Sequence, residues 1–168
     1  MEAVMAAVLI GYWTKTGTTG EYAEILGQAI SAAGHKVDVK PLAEIIDPGD
    51  YDAVVLGAPI NGMRPVPELT AFIATCAREL DGKPTALFTV SYMYGKAARG
   101  FNKAIEKGTA RAAKAMGAET SMIFPGRVAA NLPGPVRFLF GVSKDMPLDR
   151  RDPAAMKVWA STVAAILP

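Results

Sequence analysis

Seven neighbouring residues gather more anion-binding groups than any other stretch of the chain: Thr14, Lys15, Thr16, Gly17, Thr18, Thr19 and Gly20. Four threonine hydroxyls and two glycines lie between an apolar run and a helical run. Hydroxyls and backbone N–H groups can surround a phosphate dianion, and the N-terminus of the helix that follows adds a favourable dipole. Gly17 lets the backbone approach closely. Neither G-x-x-x-x-G-K-[ST] nor G-x-G-x-x-G is present, which argues against a nucleoside-triphosphate loop and weakens a dinucleotide reading. The plainer alternative is a helix cap followed by a threonine-rich turn.

Two later loops could meet the rest of such a ligand. One contains Pro59, Ile60, Asn61 and Gly62, with Asn-Gly as a turn signal. The other contains Thr89, Val90, Ser91, Tyr92, Tyr94 and Gly95. Two tyrosines in an aromatic-poor chain suit stacking on a planar group, although either could pack on the next helix instead. Trp13 is a further stacking or shielding candidate, or a cover for the sheet edge.

These loops need a scaffold that brings them to one edge. Residues 4–12 form a continuous apolar run, as expected of a strand covered on both faces. This run has no basic segment before it and leads straight into the Gly/Thr loop, so it reads as a strand and not as a signal peptide. Residues 21–33 have helical periodicity, with Tyr22, Ile25, Leu26, Ala29 and Ile30 on one side. Strands are expected over 36–40, 52–56, 85–90 and 120–124, and helices over 65–80, 96–116 and 153–167. In the helix over 65–80, Leu69, Phe72, Ile73 and Cys76 should face inward. Residues 128–152 read as irregular. Strands that alternate with helices imply a parallel sheet with right-handed crossovers. The expected fold is a single α/β domain over 1–168, doubly wound, with five parallel strands in the order 2-1-3-4-5. Ligands of such sheets bind beyond the carboxyl ends of the strands, where the three loops fall.

A net charge of +2 is too small to imply nucleic-acid binding. The single cysteine cannot form an intramolecular disulfide, and the lone histidine, His35, gives no metal site and reads as a solvated turn residue. No apolar run approaches the roughly 20 residues of a spanning helix. Lys96, Arg99, Lys103, Lys107, Arg111 and Lys114 recur every three or four residues and form one basic stripe. The stripe could meet an acidic partner, an anionic membrane surface or a carboxylate-bearing substrate, or be a solvated helix face. Arg127, Arg137 and the run Phe138, Leu139, Phe140 could dock on a membrane, cover the ligand site, or pack under a long loop.

The pattern Tyr12-x-Thr14-x-x-Gly17-x-Thr19-x-x-x-Ala23-x-x-Leu26 resembles the phosphate signature of flavodoxins, with Gly11 where that family usually has a larger apolar residue. The resemblance implies a flavin mononucleotide (FMN) cofactor, its phosphate held by Thr14, Thr16, Gly17, Thr18 and Thr19. It implies that the loop with Asn61 flanks the flavin ring, and that backbone groups of the loop with Tyr92 read the pyrimidine edge. In flavodoxins the first of these loops often carries an aromatic residue; here Ile60, Asn61 or Met63 takes that place. Electron-carrier flavodoxins are usually strongly acidic, and this chain is not. The segments Gly57-Ala58-Pro59-Ile60, Gly126-Arg127-Val128 and Asp149-Arg150-Arg151-Asp152-Pro153 resemble the flavodoxin-like protoporphyrinogen oxidases. That likeness implies an FMN-dependent oxidoreductase with a quinone as electron acceptor. The alternatives are a plain electron carrier that serves a redox partner, and an FMN-free binding module. The expected location is the cytoplasm, with peripheral contact to the inner membrane face as an open alternative.

Overall fold

The structure, a computed structural model, describes residues 4–96, 98–128, 133–139, 142 and 146–168. Strand β1 (Ala7–Tyr12) leads into helix α1 (Thr18–Ala32) and strand β2 (Lys36–Pro41). After two short 3-10 turns come β3 (Ala53–Asn61), the two-residue β4 (Arg64–Pro65), α2 (Pro67–Thr75) and α3 (Ala77–Leu80). The chain then forms β5 (Thr85–Val90), α4 (Arg99–Met116), β6 (Thr120–Phe124), the short α5 (Gly134–Leu139) and α6 (Pro153–Ile166). The sheet order is β2-β1-β3-β5-β6, parallel throughout, and β4 folds back antiparallel on the end of β3. Leaving out β4, this is the expected order 2-1-3-4-5.

Side chains that alternate along the central strands build two cores. Val8, Ile10, Val55 and Phe88 face α1 and α6, where they meet Tyr22, Leu26, Ile30 and Trp159. Leu9, Val54, Leu56 and Leu87 face α2 and α4, where they meet Leu69, Ile73 and Met116. The ring of Phe88 lies over Gly57, where a Cβ would come within 2.1 Å of it. Burial of a phenylalanine of this kind stabilises by about 1.5–3 kcal/mol, and Gly57 leaves the room on β3 that the neighbouring ring fills.

The elements differ from the sequence expectation at their ends. Helix α1 begins at Thr18, three residues earlier than periodicity suggests, because its first turn faces the sheet edge and not the core. Strand β3 runs on to Asn61. Beyond Gly57 it has no β1 partner, so the missing N–H of Pro59 falls on an open edge; the Pro59 carbonyl on that edge accepts from the Val66 N–H at 3.2 Å. The helix expected over 65–80 is broken at Cys76, whose half-buried thiol is pushed up in pKa, chiefly by burial. Strand β1 begins only at Ala7, and Val4 and Met5 are exposed. The region taken as irregular contains α5.

His35 is not the solvated turn residue expected: it is half-buried, and its Nδ1 accepts the Ala6 N–H at 3.2 Å. The turn after α1 brings it back against the start of β1. Phe138 does not pack under a loop but is 88% exposed, while the Leu139 side chain and Phe140 lie outside the described residues. Among the described residues no helix is long and apolar enough to cross a membrane.

Candidate functional site

The carboxyl ends of β1, β3 and β5 open into a cavity of about 610 Å³, within the range of small-molecule sites. On one side stand Trp13, Thr14, Lys15, Thr16, Thr18 and Thr19; on the other stand Pro59, Ile60, Asn61, Val90 and Tyr92. The structure thus brings residues from all three expected loops to one place.

The loop after β1 is shaped by its own side chains. The Gly17 N–H donates to Thr14 Oγ1 at 2.9 Å, which closes a tight turn. Gly17 then caps α1 with φ +94°, a left-handed conformation that disfavours other residues. No side chain caps the helix, so its first N–H groups are left for a ligand. The Thr18 hydroxyl is buried at the cavity wall and has no hydrogen-bond partner in the structure. A buried hydroxyl in that state costs about 1–3 kcal/mol unless something else accepts its proton.

Charge around this turn is organised from the far end of the chain. Arg127 lines the cavity and donates to Thr16 O at 3.4 Å and to Glu21 Oε1 at 2.9 Å. Arg151 bridges Glu21 and Asp149. Hydrogen bonds from Arg151 hold the Asp149 carboxyl down at about 2, and Asp149 together with Glu21 raises the guanidinium above its ordinary range. The one carboxylate in the first turn of α1, Glu21, is therefore offset by two cations and does not repel an anion at the helix terminus.

The same far segment is tied in by backbone bonds. Arg127 and Asp149 form an antiparallel bridge, the Val128 N–H donates to Leu148 O at 2.9 Å, and the Arg150 N–H donates to Gly126 O at 3.1 Å. The buried Tyr22 hydroxyl donates to Pro125 O at 2.5 Å and accepts the Asp152 N–H at 2.8 Å. Thus α1 anchors both strands of the flap that carries Arg127.

The loop after β5 is held more by its own contacts than by the cavity. Tyr92 lines the cavity, donates its hydroxyl to Pro147 O at 2.6 Å and has the Arg150 guanidinium 5.8 Å from its ring centre. Arg150 also donates to the carbonyls of Tyr92 and Tyr94. Tyr94 turns away to donate to Glu106 at 2.9 Å. The Ser91 N–H is committed to Phe124 O, and the Gly95 N–H to Asn102 Oδ1. Thr89 lies on the other face of the sheet, fully buried, with its hydroxyl 2.9 Å from that of Thr109. Gly62, with φ +71°, turns the β3–β4 hairpin beyond the cavity wall.

A family model described as Flavodoxin domain matches residues 9–131. The chain belongs to the flavodoxin-domain family. A flavodoxin from the domain Archaea superposes with a TM-score of 0.63 at 15% identity, covering 95% of this chain and 96% of that one. Oxidised flavodoxin 1 from Bacillus cereus gives 0.63 at 13%, covering 96% and 99%. Rubredoxin oxygen:oxidoreductase from Desulfovibrio gigas gives 0.62 at 16%, covering 95% of this chain and 35% of that larger protein. No curated protein sequence matches.

FMN is the cofactor of the flavodoxin family, and this flavodoxin domain presents donors suited to a phosphate monoester. The orphaned Thr18 hydroxyl, the uncapped helix and Arg127 converge where a dianion would be neutralised. Gly11, which departs from the family pattern, is explained by packing: a Cβ there would meet Ile45 Cδ1 at 2.7 Å, so Ile45 and Leu42 fill the space. Arg127, which the sequence offered as a cover for the ligand site among other roles, walls the cavity; sequence reasoning missed Gly126 beside it, and Val66, Pro67 and Glu68 below the hairpin. The likeness over Gly126-Arg127-Val128 was the signal that could have pointed to Gly126.

Proposed function

We propose that this chain holds FMN in the cavity at the sheet edge and serves as an electron-transfer flavoprotein. The carrying observation is the buried, unpartnered Thr18 hydroxyl at an uncapped helix terminus. Thr14, Lys15, Thr16, Gly17, Thr18 and Thr19 hold the phosphate, and Arg127 closes over it. Pro59, Ile60 and Asn61 flank the ring on one side, with Gly62 turning the hairpin behind them. Val90 and Tyr92 flank it on the other, and Trp13 shields it from water. Thr89, Ser91, Tyr94 and Gly95 support that wall from behind. Bound FMN supplies one- and two-electron transfer, and the protein supplies position and electrostatics. Electrons pass to a redox partner or to a quinone-type acceptor.

A second reading, an oxidoreductase of the protoporphyrinogen-oxidase-like branch acting in the cytoplasm or at the inner membrane face, is favoured by one observation. The segments that carry that resemblance, around Gly126-Arg127 and Asp149-Arg150-Arg151, pair with each other at the cavity.

Adding FMN to the purified protein tests the first reading. Bands near ~450 and ~375 nm that stay with the protein through gel filtration support it. A protein that never retains FMN refutes it. Consumption of a porphyrinogen with a quinone present would select the second reading.

A further inference from the structure

Pro67 stands between two cavities. On its far side a second groove of about 610 Å³ runs between the β3–β4 hairpin and α4. Met63, Arg64, Lys107 and Arg111 wall it. Gly108 sets the spacing: a Cβ there would meet Met63 O at 2.9 Å, so the hairpin backbone can sit directly on the helix. Arg64 thereby joins the basic stripe of α4.

This face is electrostatically unbalanced. Arg64, Lys103, Lys107, Arg111 and Lys114 are exposed, and among the described residues none forms an ion pair; the ion pairs present involve Glu21 or Asp149. Glu106, the one acid on α4, accepts the Tyr94 hydroxyl. Like charges at helical spacing repel and weakly destabilise, and an acidic partner would relieve that repulsion. Pro65, Pro67, Ala104, Ala112 and Ala115 make the groove floor apolar, and the one large apolar side chain exposed along it is Met63, at 49%. An apolar floor of small residues inside a cationic rim has the make-up of a protein interface, and it lacks the Trp, Phe and Leu side chains that anchor a surface in lipid.

We propose that this face docks an acidic electron-transfer protein and seats it one proline away from the cofactor cavity. The choice of an electron-transfer partner rests on the FMN reading; the docking chemistry does not. The test is fluorescence anisotropy of a labelled acidic plant-type ferredoxin titrated with the full chain, with and without FMN. The expected result is saturable binding, weakened at least about tenfold between about 20 mM and about 500 mM salt. Lys107→Glu/Arg111→Glu should weaken it at least about tenfold, while the same charge change on the opposite side, Lys36→Glu/Lys157→Glu, leaves it unchanged. Circular dichroism checks that both pairs fold. Absence of salt-sensitive binding, or equal loss in both pairs, overturns the proposal. So does a Lys107/Arg111-dependent association with phosphatidylglycerol vesicles but not with ferredoxin, which would make the face a membrane surface. Docking by a protein that retains no FMN would refute the FMN reading alone.

Discussion

The two ends of the cavity are built differently. At the phosphate end, nearly every group is held by another: Gly17 by Thr14, Arg127 by Glu21 and Thr16, Arg151 by Asp149, and Tyr22 by the backbone on both sides of the flap. At the ring end, Asn61, Gly62 and Met63 sit on an exposed hairpin, and Gly62 has open space where a side chain would lie. A preorganised end holds its ligand without reordering on binding, which favours affinity. An open end leaves the reactive ring within reach of a partner. Under the proposed FMN reading, α1 and the flap would retain the cofactor and the hairpin would give access to it.

Substitutions can break that division. Gly17→Val should do most harm: a β-branched residue at φ +94° strains the cap by about 1–3 kcal/mol, and FMN affinity should fall about a hundredfold as the loop shifts. Arg127→Ala should weaken FMN about tenfold in a fluorescence titration, because it removes a half-buried cation from the phosphate end. Asn61→Ala at the open end should change affinity less than about threefold. If Asn61→Ala matched Arg127→Ala, the two ends would not differ in the way proposed.

The smallest effect concerns pH. The Asp149 carboxyl is held at about 2 in the folded protein by Arg151, against an unfolded value near about 4. A depressed carboxylate contributes stability above the unfolded value and loses it as pH falls through the folded one. The melting temperatures of the wild type and Asp149→Asn should therefore differ most above pH about 4 and converge near about 2. The gap should be small, because the pair is partly exposed.

The sheet and its order were legible because each parallel strand is a short apolar run followed by a periodic helix. Ends of elements were less so. Gly17 gives α1 no side-chain cap, and Thr18 and Thr19 face the cavity, so the first turn lacks the apolar spacing that marks a helix. Pro59 read as part of a loop, yet β3 runs through it, because beyond Gly57 the strand has no β1 partner that would need the missing N–H. Of the site, the threonine loop was readable because its residues are adjacent in sequence. Arg127 was not readable as a phosphate-end residue, because its partners Thr16 and Glu21 lie more than a hundred positions away and only folding joins them. Tyr92 and Tyr94 looked equivalent in sequence; the Pro147 carbonyl and Glu106 pull them in different directions.

The central claim is that the Thr18 hydroxyl is left unpartnered for a phosphate. Thr18→Val keeps the shape and removes the hydroxyl, so FMN affinity and apoprotein stability, measured together, test it most directly. The account predicts opposite signs: FMN binding weakened about tenfold or more, and an apoprotein stabilised by about 1 kcal/mol because a buried, unsatisfied hydroxyl is gone. Unchanged FMN affinity, or an apoprotein destabilised by the loss of a hydroxyl that had a partner after all, would contradict it.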